Sequence, residues 1–285
     1  MADYLKYFNK PIDVTIRKRI SCRTFADRLI DEKDKEELLT FCQIINTGLR
    51  DEKVTYHLAE FGIEALRDRK ISAYGLIRNA RSFVFGIIDK SDSHNVSYGY
   101  AMEHLVLKAT ELGIGTCWAG YFDPYVTQDV QVHENQAIPA VVIVGYAAET
   151  KTIREKVARL AIGASRRHNW QKIFFHGRFD KTLASEAAGP YSEALELLRF
   201  APSSGNTQPW RIVKEKNHNT FHFYKKVINP GYEKKKLHDM DIGIAMCHFE
   251  LGAEKNGLKG HWVREDPRIT PLPDRMHYMI SWMQG

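Results

Sequence analysis

The sequence has no apolar run long enough to cross a bilayer. Its longest apolar stretches, residues 138–148 and 82–88, fall well short of the roughly 20 residues a spanning helix needs, and both read as buried strands. Behind Met1 there is no basic region leading into an apolar run and a small-residue cleavage site. No secretory signal is therefore expected, and a soluble cytoplasmic protein with reduced thiols is. Only four cysteines occur in 285 residues, Cys22, Cys42, Cys117 and Cys247, with no Cys-x-x-Cys pair, which excludes a disulfide scaffold. His-Glu-x-x-His and paired Cys/His blocks are also missing, so no metal site is expected. No Gly-x-Gly-x-x-Gly follows a strand, which argues against a separate Rossmann site.

What is present is globular. Hydrophobic residues make up 44% and charged residues 27%, enough for a sizeable core. The net charge of +6 favours anionic partners, yet both signs are interspersed. The basic runs Lys225-Lys226 and Lys234-Lys235-Lys236 come without an aromatic-studded RNA motif or zinc finger, so they read as solvated faces and no nucleic-acid partner is expected.

Along the chain, Asp31 is a candidate N-cap for a helix whose apolar stripe is Leu38, Leu39, Cys42 and Ile45. Residues 82–88 read as a strand, 99–112 as a helix, 138–147 as a second buried strand and 153–163 as a helix. Between Phe175 and Tyr191 the apolar periodicity stops, and the run ends in the breaker Gly189-Pro190. The joint between two halves is placed there, giving 1–178 and 179–285. Beyond it the pattern predicts a helix over 191–200, strands over 210–215 and 219–224, a helix over 239–256, and strands over 259–264 and 276–282. The class is α+β.

The second half looks like a repeat of the first, with chance likeness between two amphipathic helices as the alternative. Gly99–Trp118 and Gly243–Trp262 align without a gap and agree at 8 of 20 positions, including Gly, His and Trp. Each window leaves its helix at a glycine, Gly113 or Gly257, suited to a helix C′ position.

Two constellations carry chemistry. Arg19-x-Ser21-x-Arg23 puts two guanidinium groups and a hydroxyl on alternate residues; in an extended segment they would lie on one side, where forked donors can hold a phosphate, while on a surface turn such a cluster is simply solvated. Pro202-Ser-Ser-Gly-Asn-Thr-Gln-Pro-Trp210 is a loop of small polar groups between two prolines. Such residues can equally satisfy their own backbone and end a helix.

In this order, with Gly113-x-Gly115 and Pro139 to Gly145-Tyr146 between them, these motifs resemble the nitroreductase family of flavoproteins over most of the chain. The resemblance implies FMN as cofactor. The phosphate and ribityl chain would lie on Arg19, Ser21 and Arg23, with Arg166 and Arg167 completing the phosphate site. The backbone at Ala119 and Gly120 would pass the flavin ring, and Pro202, Ser203, Ser204 and Asn206 would reach that ring as they do from the partner subunit of a homodimer.

Here the two motifs are about 180 residues apart, and each half lacks what the other keeps. The resemblance therefore implies a single-chain pseudo-dimer of two nitroreductase-like halves, in which a monomer suffices for the site. The turn Ser72–Leu76 offers no lysine for the flavin N1 edge. In function the resemblance implies an oxidoreductase moving electrons from NAD(P)H to a nitroaromatic, quinone or similar small acceptor. Flavin N5 would carry the chemistry, so no catalytic side chain is needed. A flavin carrier or sensor without turnover, and a scaffold that has lost FMN, stay open as alternatives.

Overall fold

Two helices of 19 residues, His94–Leu112 and Leu237–Lys255, are buried on nearly every side, including charged members such as Glu103, Lys108, Asp241 and Glu250. They anchor two compact units. The computed structural model describes residues 4–46, 49, 52–66, 69, 71, 77–149, 163 and 166–285. The N-terminal unit is Phe8–Ser165, and the C-terminal unit is Arg166–Gly285 together with Met1–Tyr7.

In the N-terminal unit the helices are α1 (Ile12–Lys18), α2 (Glu32–Ile44), the single turn α3 (Ile63–Leu66) and α4 (His94–Leu112). The strands are β1 (Val54–Glu60), β2 (Ser82–Asp89), β3 (Gly115–Ala119), β4 (Gln136–Ala137) and β5 (Val141–Gly145). The sheet runs β1-β2-β5-β3, antiparallel throughout, with β4 beside β2. Helix α2 forms with Glu32 and Asp34 in its first turn; of the expected stripe Leu38, Cys42 and Ile45 are buried, whereas Leu39 is only half-buried and Phe41 is buried in its stead. Asp31 does occupy the N-cap position in extended conformation, but its carboxylate pairs with Arg28 (2.9 Å) and makes no cap bond.

The C-terminal unit contains α5 (Trp170–Ile173), β6 (Phe174–His176), β7 (Arg178–Thr182), α6 (Ser192–Arg199), β8 (Trp210–Lys214) and β9 (Thr220–Lys226). It continues with α7 (Pro230–Lys234), α8 (Leu237–Lys255), β10 (Gly260–Val263) and β11 (Met276–Gln284). Its sheet runs β10-β11-β9-β8-β6-β7. The 3₁₀ turn Leu5–Tyr7 packs on α8.

The contact boundary lies at Ser165/Arg166, upstream of the 178/179 joint read from the sequence. The cause is β6, which pairs in parallel with β8 and carries β7 on its other edge. Residues 174–182 are thus held to the second sheet by long-range hydrogen bonds that leave no local period. The Gly189-Pro190 break is present one element later, with Gly189 at φ 58° just before α6.

The two sheets share an order. An antiparallel hairpin (β1-β2; β8-β9) is followed by the long helix (α4; α8), an edge strand (β3; β10) and a strand between edge and hairpin (β5; β11). The helix ends match as well. Gly113 and Gly257 have φ of 87° and 70°. Ile114 N–H bonds Ala109 O (2.8 Å) as Leu258 N–H bonds Ala253 O (3.0 Å), the six-to-one bond of a Schellman cap. Trp118 and Trp262 each donate an indole N–H to a glutamate of the preceding helix, Glu103 (2.8 Å) and Glu250 (2.6 Å). The helix expected over 153–163 and the Ser72–Leu76 turn lie outside the described residues.

Candidate functional site

In the N-terminal unit α1 stops because Arg19 turns to φ −57°, ψ 123° while its N–H still bonds Thr15 O. From there the chain runs as an added strand. Ser21 bridges Thr116 of β3 in parallel, Thr24 bridges Arg78, and Phe25 bridges Ala147. Cys22, Thr24 and Phe25 are buried, whereas Ser21 and Arg23 between them are half-buried. That is the alternation the sequence predicts for a one-sided basic segment. Arg19 departs from it, being only 7% exposed.

Two glycines let the segment lie this close to the sheet. A Cβ on Gly115 would stand 2.9 Å from Cys22 Cβ and 3.1 Å from Gly145 O, and one on Gly145 would stand 3.0 Å from the Phe25 ring. Arg23 Nη1 is buried and has no hydrogen-bond partner among the described residues. A guanidinium N–H left so is costly unless an acceptor arrives. Ala119 closes β3, paired with Val141, and Gly120 follows it. They stand three and four residues along the strand from the Ser21 bridge, about 10–13 Å at strand rise.

In the C-terminal unit the Pro202–Trp210 loop holds a strained backbone, with Gly205, Asn206 and Gln208 at φ 58°, 55° and 48°. Its polar groups bond mainly to their own unit. Asn206 Nδ2 donates to Arg166 O (3.0 Å), and Arg167 Nη1 donates to Asn206 Oδ1 (3.4 Å) while Nη2 reaches Phe200 O (3.3 Å). Ser203 Oγ accepts from Gln208 N–H (2.8 Å). Arg166, Arg167 and Asn206 are therefore brought together, although Arg166 does so through its carbonyl and its side chain is exposed. Pro202, Ser203 and Ser204 are half-buried.

The sequence reading missed two residues that shape this loop. Gln208 is 2% exposed, accepts from His168 N–H (2.8 Å) and donates to Arg166 O (3.3 Å). Asp241, in the first turns of α8, takes both the N–H (2.9 Å) and the Oγ (3.2 Å) of Ser204. Beside it Asn229 N–H donates to His238 Nε2 (3.3 Å), while His238 Nδ1 faces Asp241 Oδ2 (3.3 Å). The signal available was acidic residues at 239 and 241 opening an otherwise apolar helix.

Burial is the largest influence on the Asp241 carboxyl and pushes its pKa up, against the hydrogen bonds from His238 and Ser204. The native chain thus holds that proton more tightly than the unfolded chain. This group's contribution to stability is full at low pH and falls as pH rises through the raised value. Asp241→Ala leaves the Ser204 N–H without its acceptor, a loss of about 1–3 kcal/mol. Hydrogen exchange at residues 203–208 is expected to quicken accordingly while β9 stays protected. Unchanged exchange there would show that Asp241 does not hold the loop.

Among the described residues no helix is long and apolar enough to cross a membrane, and no group of three or more His, Cys, Asp or Glu could hold a metal ion.

Residues 12–253 match the family described as "Putative TM nitroreductase". The crystal structure of a "putative nitroreductase" of Thermotoga maritima superposes with a TM-score of 0.61 at 17% identity, covering 96% of this chain and 94% of that one. A nitroreductase family protein of Clostridium difficile gives a TM-score of 0.40 at 18% identity, over 53% of this chain and 92% of its own. An FMN-dependent nitroreductase of the same species gives 0.40 at 21%, over 48% and 88%. No curated protein matches.

Proposed function

Since the chain belongs to the TM nitroreductase family, we propose that it is an FMN-dependent oxidoreductase drawing electrons from NAD(P)H. The observation that carries this reading is the basic segment: an extended Arg19-Ser21-Arg23 run tied beside β3, with a buried Arg23 Nη1 that lacks an acceptor. A phosphate supplies that acceptor, so the residues fit the cofactor. Bound to this chain, FMN would supply two-electron transfer to a nitroaromatic, quinone or similar small acceptor.

The residues do the holding. Arg19, Ser21 and Arg23 bind the phosphate and ribityl chain, with Arg166 and Arg167 adding charge. Ala119 and Gly120 offer backbone to the ring, as does the loop of Pro202, Ser203, Ser204 and Asn206. The clamp of Asn206 by Arg166 and Arg167 fixes that loop's shape, which favours a rigid, preformed contact.

The reading extends to an internal duplication, supported by the common strand order, the paired Schellman caps and the 8 shared positions. Both motifs are on one polypeptide, so one chain suffices for one FMN. The expected result is one flavin per chain, measured by absorbance after denaturation beside mass by light scattering. NAD(P)H oxidation is expected to be steady once an acceptor is added. Two flavins per chain, or flavin held only by a dimer, would overturn the single-chain site. Bound flavin without NAD(P)H oxidation would make the protein a carrier or sensor.

A further inference from the structure

The backbone entering β8, Gln208–Arg211, is ringed by cations. Arg211 is 4% exposed, and both its hydrogen bonds leave from Nη1, to the main-chain oxygens of Gln208 (3.0 Å) and Trp210 (2.6 Å). Burial pushes its pKa down to about 10, and no carboxylate among the described residues offsets that.

Strand register places Lys226 beside it. Arg211 pairs with Tyr224 across β8 and β9, paired residues share a face, and Lys226 lies two residues on from Tyr224. The intervening Lys225 points to the opposite face, where Asp239 and Glu233 (2.9 Å) on the α7–α8 side neutralise it. No such partner reaches Lys226 among the described residues.

Lys172, in α5, adds a third charge. The pairing of Phe174 with Ile212 brings the end of α5 alongside Arg211. Lys172 Nζ lies 3.4 Å from His168 Nδ1, and the His168 N–H is bonded to Gln208 (2.8 Å). Partial desolvation of an otherwise exposed side chain is the first cause that holds Lys172 below its usual pKa, followed by Arg211 and Lys226; His168 is lowered by burial, then by Lys172 and Arg211. Mutually repelling cations around a strained turn, with Gln208 at φ 48°, cost stability that an anion would return.

We propose that Arg211, Lys226, Lys172 and His168 form a second anion site, built for a phosphate monoester, on the sheet face opposite α8. A phosphate monoester is nearly doubly charged and offers three terminal oxygens, which suits one forked and two point-like donors better than a single carboxylate does. The site shares no residue with the Arg19-Ser21-Arg23 segment, and its existence does not depend on flavin binding.

The test is calorimetric titration with inorganic phosphate at constant low ionic strength, with and without excess FMN, on the parent and on Lys172→Gln, Lys226→Gln and Arg211→Gln. The parent is expected to bind phosphate saturably, and each lysine variant to bind roughly tenfold more weakly. Arg211→Gln is expected to lose more. Lys172 is exposed and Lys226 half-buried, so the lysine variants stay informative where the buried arginine variant fails to fold. Absence of saturable binding in the parent, or parent affinity in both lysine variants, overturns the proposal. Loss of phosphate binding on adding FMN also overturns it, since the residues would then serve the flavin. Displacement by NADPH and not by NADH supports it and makes the 2′-phosphate of the nicotinamide cosubstrate the source. Phosphate binding that neither dinucleotide disturbs supports it with another phosphorylated compound as source.

Discussion

Arg23→Ala is expected to weaken FMN binding about 10- to 100-fold, and Arg19→Ala by a similar factor. Each removes charge-assisted hydrogen bonds worth about 1.5–3 kcal/mol. Arg23 is the sharper of the two tests. Its Nη1 is buried without an acceptor, so truncation relieves a cost in the flavin-free chain and removes a bond from the loaded one. The free protein should therefore lose little stability while affinity falls, which separates a ligand contact from a structural one. Lys234→Ala, on an exposed stretch of α7, is the charge-matched control and should leave affinity unchanged. Equal affinities for the parent and both arginine variants by FMN titration would take the phosphate away from this segment.

The second large effect is expected at Gly115. Valine favours strands on propensity scales spanning about 1 kcal/mol, so local preference alone would make Gly115→Val harmless. Packing decides otherwise: the new Cβ would sit 2.9 Å from Cys22 Cβ and 3.1 Å from a main-chain oxygen, Gly145 O. Overpacking of this kind costs about 1–3 kcal/mol or more. The part free to move is the Ser21–Cys22 segment, so FMN affinity should fall together with thermal stability. Gly113→Ala is the comparison. Gly113 has φ 87° and nothing within 4 Å of its built Cβ, so alanine there should cost about 1 kcal/mol through backbone strain and leave FMN binding intact. If Gly115→Val binds FMN like the parent, the basic segment is not positioned by this close approach.

What could be read from the sequence was whatever a local pattern writes. The apolar 99–112 and 239–256 windows and their terminal glycines predicted α4, α8 and the C′ position of each. The spacing of Arg19, Ser21 and Arg23 indicated one shared side should the segment be extended, and it is. The start of α4 was missed by five residues because His94, Asn95 and their neighbours are polar and carry no stripe. Strand β7, Arg178–Thr182, is an almost wholly exposed polar edge that exists only through pairing with β6, and no periodicity announces such a strand. Asp241 stayed invisible for a related reason: its task is a hydrogen bond to Ser204, 37 residues away.

The Leu5–Tyr7 turn stands ahead of the whole Phe8–Ser165 unit, yet its partner α8 begins at Leu237. Drawing together chain ends separated by about 230 residues costs about 5 kcal/mol of loop entropy for a flexible chain, growing only logarithmically with length. Folding the Phe8–Ser165 unit beforehand shortens the flexible part of that loop to little more than the C-terminal segment. The arrangement thus favours an order in which the N-terminal unit matures while residues 5–7 wait, and closure of the second unit comes late.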